Sequence, residues 1–256
     1  MRKITRSARL LEAMKNLKPF TGSWLAALRV VVLRKLRPDS LLKGSYRSQK
    51  FLFRRIDCNA LFEVFGDNEY GFLQADIMGA QAPLVIDVGA HIGTFALWTL
   101  ALNPRAQILS VEADPQTFGV LEHNRALARG AWHTIHRAAS DKNGETLLFS
   151  DDGPSMSHRV SATGRVEVQS IALEALLDTA GQGREIDVLK IDIEGAEELF
   201  LAGKQKALSF VKCLVVELHP NLCDVDRVVE TLRGRFDKID YVGGRKSNKP
   251  LIVCRD

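Results

Sequence analysis

A mostly parallel α/β sheet with helices on both faces is the architecture this sequence predicts, and three observations predict it. Short, largely apolar runs such as Leu84–Val88, Gln107–Glu112 and Cys213–Leu218 have the composition of strands buried on both sides. Helical stretches separate them, as at Thr94–Leu102, so neighbouring strands are joined by crossovers and run parallel. Between the first strand and the first helix the chain bends on two glycines, Gly89 and Gly93, in the manner of a nucleotide-type cofactor turn.

The elements follow in order. Residues 1–19 read as a basic helix, with Leu10, Leu11, Met14 and Leu17 on one face. Residues 23–36 read as a second, capped by Ser23, with Trp24, Leu28, Val31 and Val32 in a stripe and Pro38 beyond its end. Phe51–Ile56 and Ala60–Phe65 have strand-like composition, and Asp67-Asn68 signals a turn. The alternation then begins at Leu84. Asn103-Pro104 stops the first helix, and Asp114-Pro115 opens the next as N-cap and first-position proline. Trp132–Ala138, Asp187–Ile193 and Cys213–Leu218 continue the strands, with a helix around Ala196–Leu201. Lys238–Val242 and Leu251–Cys254, flanking a turn-rich stretch, predict an antiparallel hairpin that closes the sheet. Short β-like runs around a polar loop, Asp151–His158, mark a β insertion near 144–170.

Composition bounds what the chain does. Its net charge of +4 conceals an asymmetry. Residues 1–56 carry fifteen Lys and Arg against Glu12 and Asp39, a net of +13, and the remainder carries −9. The chain therefore divides into a basic N-terminal helical segment, 1–56, and a domain over 57–256. A basic segment of this kind attracts anionic lipid, acidic glycan or nucleic acid; it also suits packing on the acidic body or a homodimer interface. Contact with an anionic membrane surface through residues 1–37 is one expectation. The apolar stretch Trp24–Leu33 is about half the ~20 residues of a membrane-spanning helix and is interrupted by Arg29. Four scattered cysteines without a C-x-x-C pair point to reduced thiols, and a cytoplasmic location, membrane-associated or not, is expected.

The chemistry centres on Val85-Ile86-Asp87-Val88-Gly89-Ala90-His91-Ile92-Gly93-Thr94. Glu112 ends the next strand, 19 residues after Gly93, where a carboxylate can accept both hydroxyls of a ribose. A dinucleotide turn needs G-x-G-x-x-G so that backbone can cradle a pyrophosphate. G-A-H-I-G with an acid two residues earlier suits S-adenosylmethionine instead, whose ammonium and sulfonium are cationic. His91 is read as a wall of that pocket. Two further strand ends deliver Lys190, Asp192 and Glu194, then Glu217 and His219. With strands about 5 Å apart, Asp192 and Glu217 come within reach, and one can act as general base. The same acids could hold Mg²⁺ or another divalent ion, but no dedicated ligand spacing is present, so no metal ligand is assigned. Ser157 and His158 in the insertion loop, and Tyr70 ahead of the first strand, are candidate substrate contacts.

The runs VIDVGAHIGTFAL, VEADP, RAASDKNGE, IDVLKIDIEGAEELFL and VVELHP, in this order, resemble the FkbM family of class I methyltransferases over roughly residues 60–254. The resemblance implies a Rossmann-like, mostly parallel seven-stranded sheet whose last strand is antiparallel. It implies S-adenosylmethionine as methyl donor and a hydroxyl on a sugar, glycolipid, polyketide or related small metabolite as acceptor. Carried over by position, Asp87, Gly89 and Gly93 line the methionine end, Glu112 takes the ribose and Asp141 lies near the adenine. Glu174 replaces a common Asp. Two other readings stay open at this point. One is RNA-directed methylation through the basic segment, disfavoured because Asp192-Ile193-Glu194-Gly195 is no Asn/Asp-Pro-Pro-aromatic box and no stacking platform is evident. The other is a non-catalytic, membrane-associated binding protein.

Overall fold

At the N-terminus, apolar spacing produces two helices whose buried sides differ from those expected. The computed structural model describes residues 6–33, 40–150, 159–160, 166–242 and 249–256. Helix α1 spans Arg6–Thr21 and α2 spans Trp24–Leu33; Ser23 caps α2, its Oγ accepting the Ala26 N–H at 3.1 Å. Leu17 and Phe20 of α1 are buried, whereas Leu10 and Leu11 are exposed. In α2 the buried residues are Ala27 and Val30, and Trp24 and Val32 face outward. Because α2 is apolar around most of its circumference, periodicity cannot say which side meets the core.

A hairpin follows, β1 (Leu42–Tyr46) with β2 (Gln49–Phe53), turning through Arg47 at a φ of 49°. The strand expected over Phe51–Ile56 thus ends at Phe53 and gives way to a 3₁₀ turn, Arg55–Asp57. Ala60–Phe65 is helical rather than extended: α3 (Cys58–Leu61) runs into a π turn, Phe62–Gly66. Its buried residues Ala60, Leu61, Val64 and Phe65 have i, i+1, i+4, i+5 spacing, which is helical, and their β-favouring composition misled the strand reading. Asn68 makes the predicted turn at a φ of 53°.

The alternating part then runs α4 (Gln74–Gly79), β3 (Leu84–Val88), α5 (Thr94–Leu102), β4 (Gln107–Glu112), α6 (Pro115–Leu127) and β5 (Ala131–His136). Asp114 caps α6 by accepting the Thr117 N–H at 2.6 Å. The strand expected over Trp132–Ala138 divides at Arg137. Beyond it β6 (Ala138–Ser140) leaves for a smaller sheet with β7 (Thr146–Ser150), β8 (Arg159–Val160) and β9 (Val166–Ala172), ordered β6-β9-β7-β8. This is the anticipated insertion. The chain continues through α7 (Leu173–Gly181), β10 (Ile186–Ile191), α8 (Glu197–Leu201), β11 (Val211–Glu217), α9 (Val225–Arg233), β12 (Lys238–Val242) and β13 (Leu251–Arg255).

The main sheet has seven strands in the order β12-β13-β11-β10-β3-β4-β5. β11, β10, β3, β4 and β5 are parallel; β13 is antiparallel to both β11 and β12. This is the predicted architecture. Alternate residues sort onto two cores: Val85, Val188, Val215 and Val253 meet α1, α2, α5 and the hairpin, while Ile86, Leu189, Leu214 and Ile252 meet α7, α8 and α9. The basic segment therefore shares a core with the sheet. Among the described residues no helix is long and apolar enough to cross a membrane.

Asn124 of α6 ties the hairpin to the cofactor turn. Its Oδ1 accepts the Leu52 N–H at 2.6 Å, and its Nδ2 donates to the carbonyls of Leu52 and Ile92 at 2.9 and 2.8 Å. It is fully buried. Asn124→Ala should therefore destabilise the protein by about 2–4 kcal/mol, because it strands buried polar partners. Arg125→Ala, which removes a half-exposed ion pair with Glu122, should cost under about 1 kcal/mol. Urea unfolding of both variants checks the contrast.

Candidate active site

Chain order reverses between β3 and β10: β4 and β5 extend the sheet to one side, β11 and the closing hairpin to the other. At such a switch point the loops leaving the carboxyl ends of adjacent strands diverge and leave a crevice. A cavity of about 300 Å³ opens there, lined by the tips of β3, β4, β10 and β11 and by the segment around Ala60–Tyr70.

The strand tips are held by a buried ion pair. Lys190 lies directly across from Asp87 in the β10–β3 register, and its Nζ is 3.1 Å from Asp87 Oδ1. The same ammonium donates to the Gly89 carbonyl at 2.8 Å and lies 3.9 Å from Asp192. Burial alone would neutralise both partners. It pushes the Asp87 carboxyl above its ordinary range despite Lys190, whereas at Lys190 burial is outweighed by Asp87, Asp192 and Glu217 together, which raise the ammonium's pKa. Asp87 has no exposed surface and does not line the cavity; it anchors Lys190.

Both glycines of the turn are required by packing. Gly89 has a φ of 76°, and a Cβ on it would lie 1.7 Å from the Asp192 carbonyl oxygen. Gly93, at 87°, would drive a Cβ into the rings of Trp132 at 2.5 Å. Gly93 does not line the cavity, and the obstacle to a Cβ at each position is protein. His91 does line it. Its backbone takes a left-handed φ of 52°, its N–H donates to Glu112 at 2.7 Å, and its Nε2 is 3.3 Å from buried Asp57. Asp57 in turn binds Arg54 at 2.9 Å.

Glu112 fits its expected place. It ends β4, lines the cavity and accepts the N–H groups of His91 and Asp114 at 2.7 and 2.8 Å. Each carboxylate oxygen keeps a lone pair for a ribose hydroxyl. Asp141, by contrast, is exposed and does not line the cavity. Arg137, Ala138 and Ala139 line that side instead, since the chain leaves the sheet at Arg137.

At the other end Lys190, Asp192, Glu194 and Glu217 meet as the strand order predicted. His219 does not line the cavity; it is buried behind them. Its Nδ1 is 2.8 Å from Glu197, and its Nε2 lies 3.3, 3.6 and 4.0 Å from Glu194, Glu217 and Asp192. Burial opposes a charge on the ring, but Glu194 and Glu197 outweigh it and raise the pKa to about 10. His219 is thus a fixed cation and not a proton acceptor at neutral pH. Glu217 behaves oppositely: burial, then repulsion from Asp192, pushes its carboxyl up to about 7 against Lys249 and His219. Glu69 reaches about 7 through burial and the charges of Glu63 and Asp192. Tyr70 is buried edge-on to Phe95 and lines the cavity. Ser157 and His158 lie outside the described residues.

Four charged lining residues escaped the sequence reading: Glu63, Glu69, Arg137 and Lys249. Glu63 and Glu69 sit on and after the π turn that had been read as a strand. Lys249 bridges Glu194 and Glu217 at 3.1 and 3.2 Å from just before β13. The antiparallel pairing of Glu217 with Leu251 brings it there, a register invisible without knowing which strands pair. Asp192, Glu194 and His219 place ligand atoms within 4.8 Å of one another. Lys249 and the imidazolium already supply the positive charge this cluster requires, and a metal would have to displace them.

The donor set fits a cationic cofactor carrying a ribose and no phosphate. Among the charged lining residues carboxylates outnumber cations, which favours a sulfonium and an ammonium and would repel a pyrophosphate. A sheet of this topology with Glu112 at the second strand tip defines a class I S-adenosylmethionine-dependent methyltransferase. Residues 87–239 match the methyltransferase FkbM domain, and the chain belongs to that family. It is 29% identical over 171 residues to the hexuronic acid methyltransferase AglP of Haloferax volcanii, covering 63% of this chain and 70% of that one. It is 27% identical over 205 residues to the 31-O-demethyl-FK506 methyltransferase FkbM of Streptomyces tacrolimicus, covering 67% and 78%. The 2-O-methyltransferase NoeI of Sinorhizobium fredii is 24% identical over 154 residues, covering 53% and 63%.

Lys190→Met should leave Asp87 buried without its cation and cost roughly 3–5 kcal/mol of stability. Adding Asp87→Asn to that variant should recover most of the loss. A double-mutant cycle by urea unfolding checks it; equal stability of the single and double variants would refute the pairing.

Proposed function

We propose that the protein methylates a hydroxyl group of a carbohydrate, glycolipid or related small metabolite. The observation that carries this reading is Glu217: a carboxyl with a pKa of about 7 at a strand tip, lining the same cavity as Glu112. An alcohol is a poor nucleophile until its proton leaves, and a carboxylate poised near neutrality suits that removal. Two of the relatives named above act, by their names, at oxygen positions, which supports the reading.

S-adenosylmethionine, when bound, supplies an activated methyl group on a sulfonium. The chain's own residues do the rest. Glu112 holds the ribose hydroxyls, and the turn Gly89–His91 provides the wall beneath. Asp192, fixed between Lys190 and His219, positions the acceptor. Glu217 accepts the acceptor's proton at a carboxylate oxygen, and Lys249 beside it at 3.2 Å stabilises the anionic form between turnovers. Tyr70 and Phe95 close the apolar side and exclude water.

The proton acceptor works only when ionised. Activity should therefore rise with pH through about 7 and level off above it, because Glu217 is protonated below that value and competent above it. Glu217→Gln should lower kcat/KM by about 10²–10⁴-fold and abolish that rising limb, with donor affinity by calorimetry unchanged. Asp192→Ala should abolish turnover while leaving donor affinity nearly intact; loss of donor binding would reassign Asp192 to the cofactor. The acceptor class is tested by incubating the enzyme with labelled methyl donor and fractionated glycan, lipid and RNA extracts. Label entering RNA alone overturns the proposal.

A further inference from the structure

Helix α2 is apolar on two opposite sides, and among the described residues only one has a partner. Ala27 and Val30 point into the core, with exposures of 0% and 4%. On the outer side Trp24, Leu25 and Val32 are 42%, 77% and 57% exposed, and Leu28 between them is only partly covered. At 100° per residue these four fall within one stripe about 100° wide. Lys18 of α1 sits over the Trp24 ring, 5.3 Å from its centroid, which joins the two helices into one surface. Leu11, one heptad before Lys18 on the same side of α1, is half exposed. Lys15, Lys18 and Arg29 are exposed around this apolar strip. Contiguous apolar patches of this kind on a folded surface mark a binding face.

We infer that the outer face of α1 and α2 docks on an anionic lipid bilayer, with Trp24, Leu25 and Val32 entering the headgroup boundary and Lys15, Lys18 and Arg29 among the lipid phosphates. Charge selects this occupant. An amphipathic surface with aromatic and aliphatic residues inside a basic rim has the composition of interfacial membrane helices. The remainder of the chain carries −9 against +13 for residues 1–56, so an anionic surface attracts this end, repels the rest and fixes the orientation. A second copy is a poorer match. Symmetric pairing through this face would set its basic residues against their own copies, with Glu12 the single acid of α1 to offset them. RNA would use the basic rim and leave the exposed leucine and valine in water.

Docking here also approaches the reaction site. Phe20 on the inner side of α1 packs against Phe62 and Phe65, at ring distances of 6.4 and 5.7 Å, and the intervening Glu63 and Val64 line the cavity. A single π turn thus separates the helical pair from the acceptor side.

The test is co-sedimentation of the full chain with phosphatidylcholine vesicles, with and without phosphatidylserine. Binding should be at least tenfold tighter with phosphatidylserine and should weaken with added salt. Trp98 and Trp132 are buried, so a blue shift of tryptophan emission on binding reports entry of Trp24 into the bilayer. Leu25→Glu with Val32→Glu should abolish the shift and reduce binding at least tenfold. These residues are exposed, so circular dichroism and donor affinity should be unchanged. No binding to phosphatidylserine vesicles at low salt overturns the inference, as does binding that leaves the emission unshifted. A dimer that Leu25→Glu dissociates, or RNA retention in place of vesicle binding, overturns it in favour of those partners.

Discussion

The contact between Lys190 and Asp87 is the constraint on which the site depends. The tips of these two parallel strands share a last backbone bond, the Asp192 N–H donating to the Val88 carbonyl at 3.0 Å, before their loops diverge. A buried ammonium bound to both the Asp87 carboxylate and the Gly89 carbonyl closes the gap from the β10 side. From the β3 side, Gly89 allows the loops to meet: its missing Cβ leaves room for the Asp192 carbonyl. With the two loops pressed together, Asp192 and the cofactor turn acquire a fixed relation. Such a buried pair contributes little net stability, because desolvation offsets most of its attraction. Its value here lies in geometry.

The electrostatics of the acceptor side follow from that fixed frame. Asp192, Glu194 and Glu217 converge on one end of the cavity, and three carboxylates so close cannot all stay ionised without cations. Three are provided, each differently placed: Lys190 below, His219 behind and Lys249 across the mouth. The first two are buried, and Lys249 reaches in from the edge of the closing hairpin. The balance leaves Glu217 and Glu69 near neutrality in their pKa while the cations stay charged. Glu194 holds a left-handed backbone, at a φ of 49°, in the loop that points it at His219 and Lys249. Strain of this kind persists where surrounding contacts over-determine the chain, and here the contacts are ionic.

The sheet was legible in the sequence because its strands are short, apolar and bounded by capped helices, so that burial and turn chemistry point the same way. Glu112, Asp192 and Glu217 were legible for the same reason: in a parallel sheet an acid that ends a strand has one place to go. Asp87 was legible as part of the motif, but its pairing with Lys190 depends on the β10–β3 register, which a sequence does not display. Glu63, Glu69 and Lys249 were hidden. Glu63 rides on a π turn whose Phe and Val content imitates a strand, Glu69 follows that turn, and Lys249 depends on antiparallel register across some thirty residues of chain.

The N-terminal segment shows how a charge imbalance and a packing pattern constrain each other. A +13 segment invites the view of a detached arm, yet Leu17, Phe20, Ala27 and Val30 join the same apolar cluster as Phe95 and Val188. Arg55 reinforces this, its buried Nε donating to the Val30 carbonyl at 2.8 Å, while its neighbour Arg54 binds Asp57 and, through it, reaches His91. Two consecutive arginines thereby link the end of α2 to the wall of the cofactor turn. A helix held this firmly on its inner side cannot rotate to hide its outer leucine and valine. The apolar outer stripe is therefore a fixed feature of the surface that the described residues form.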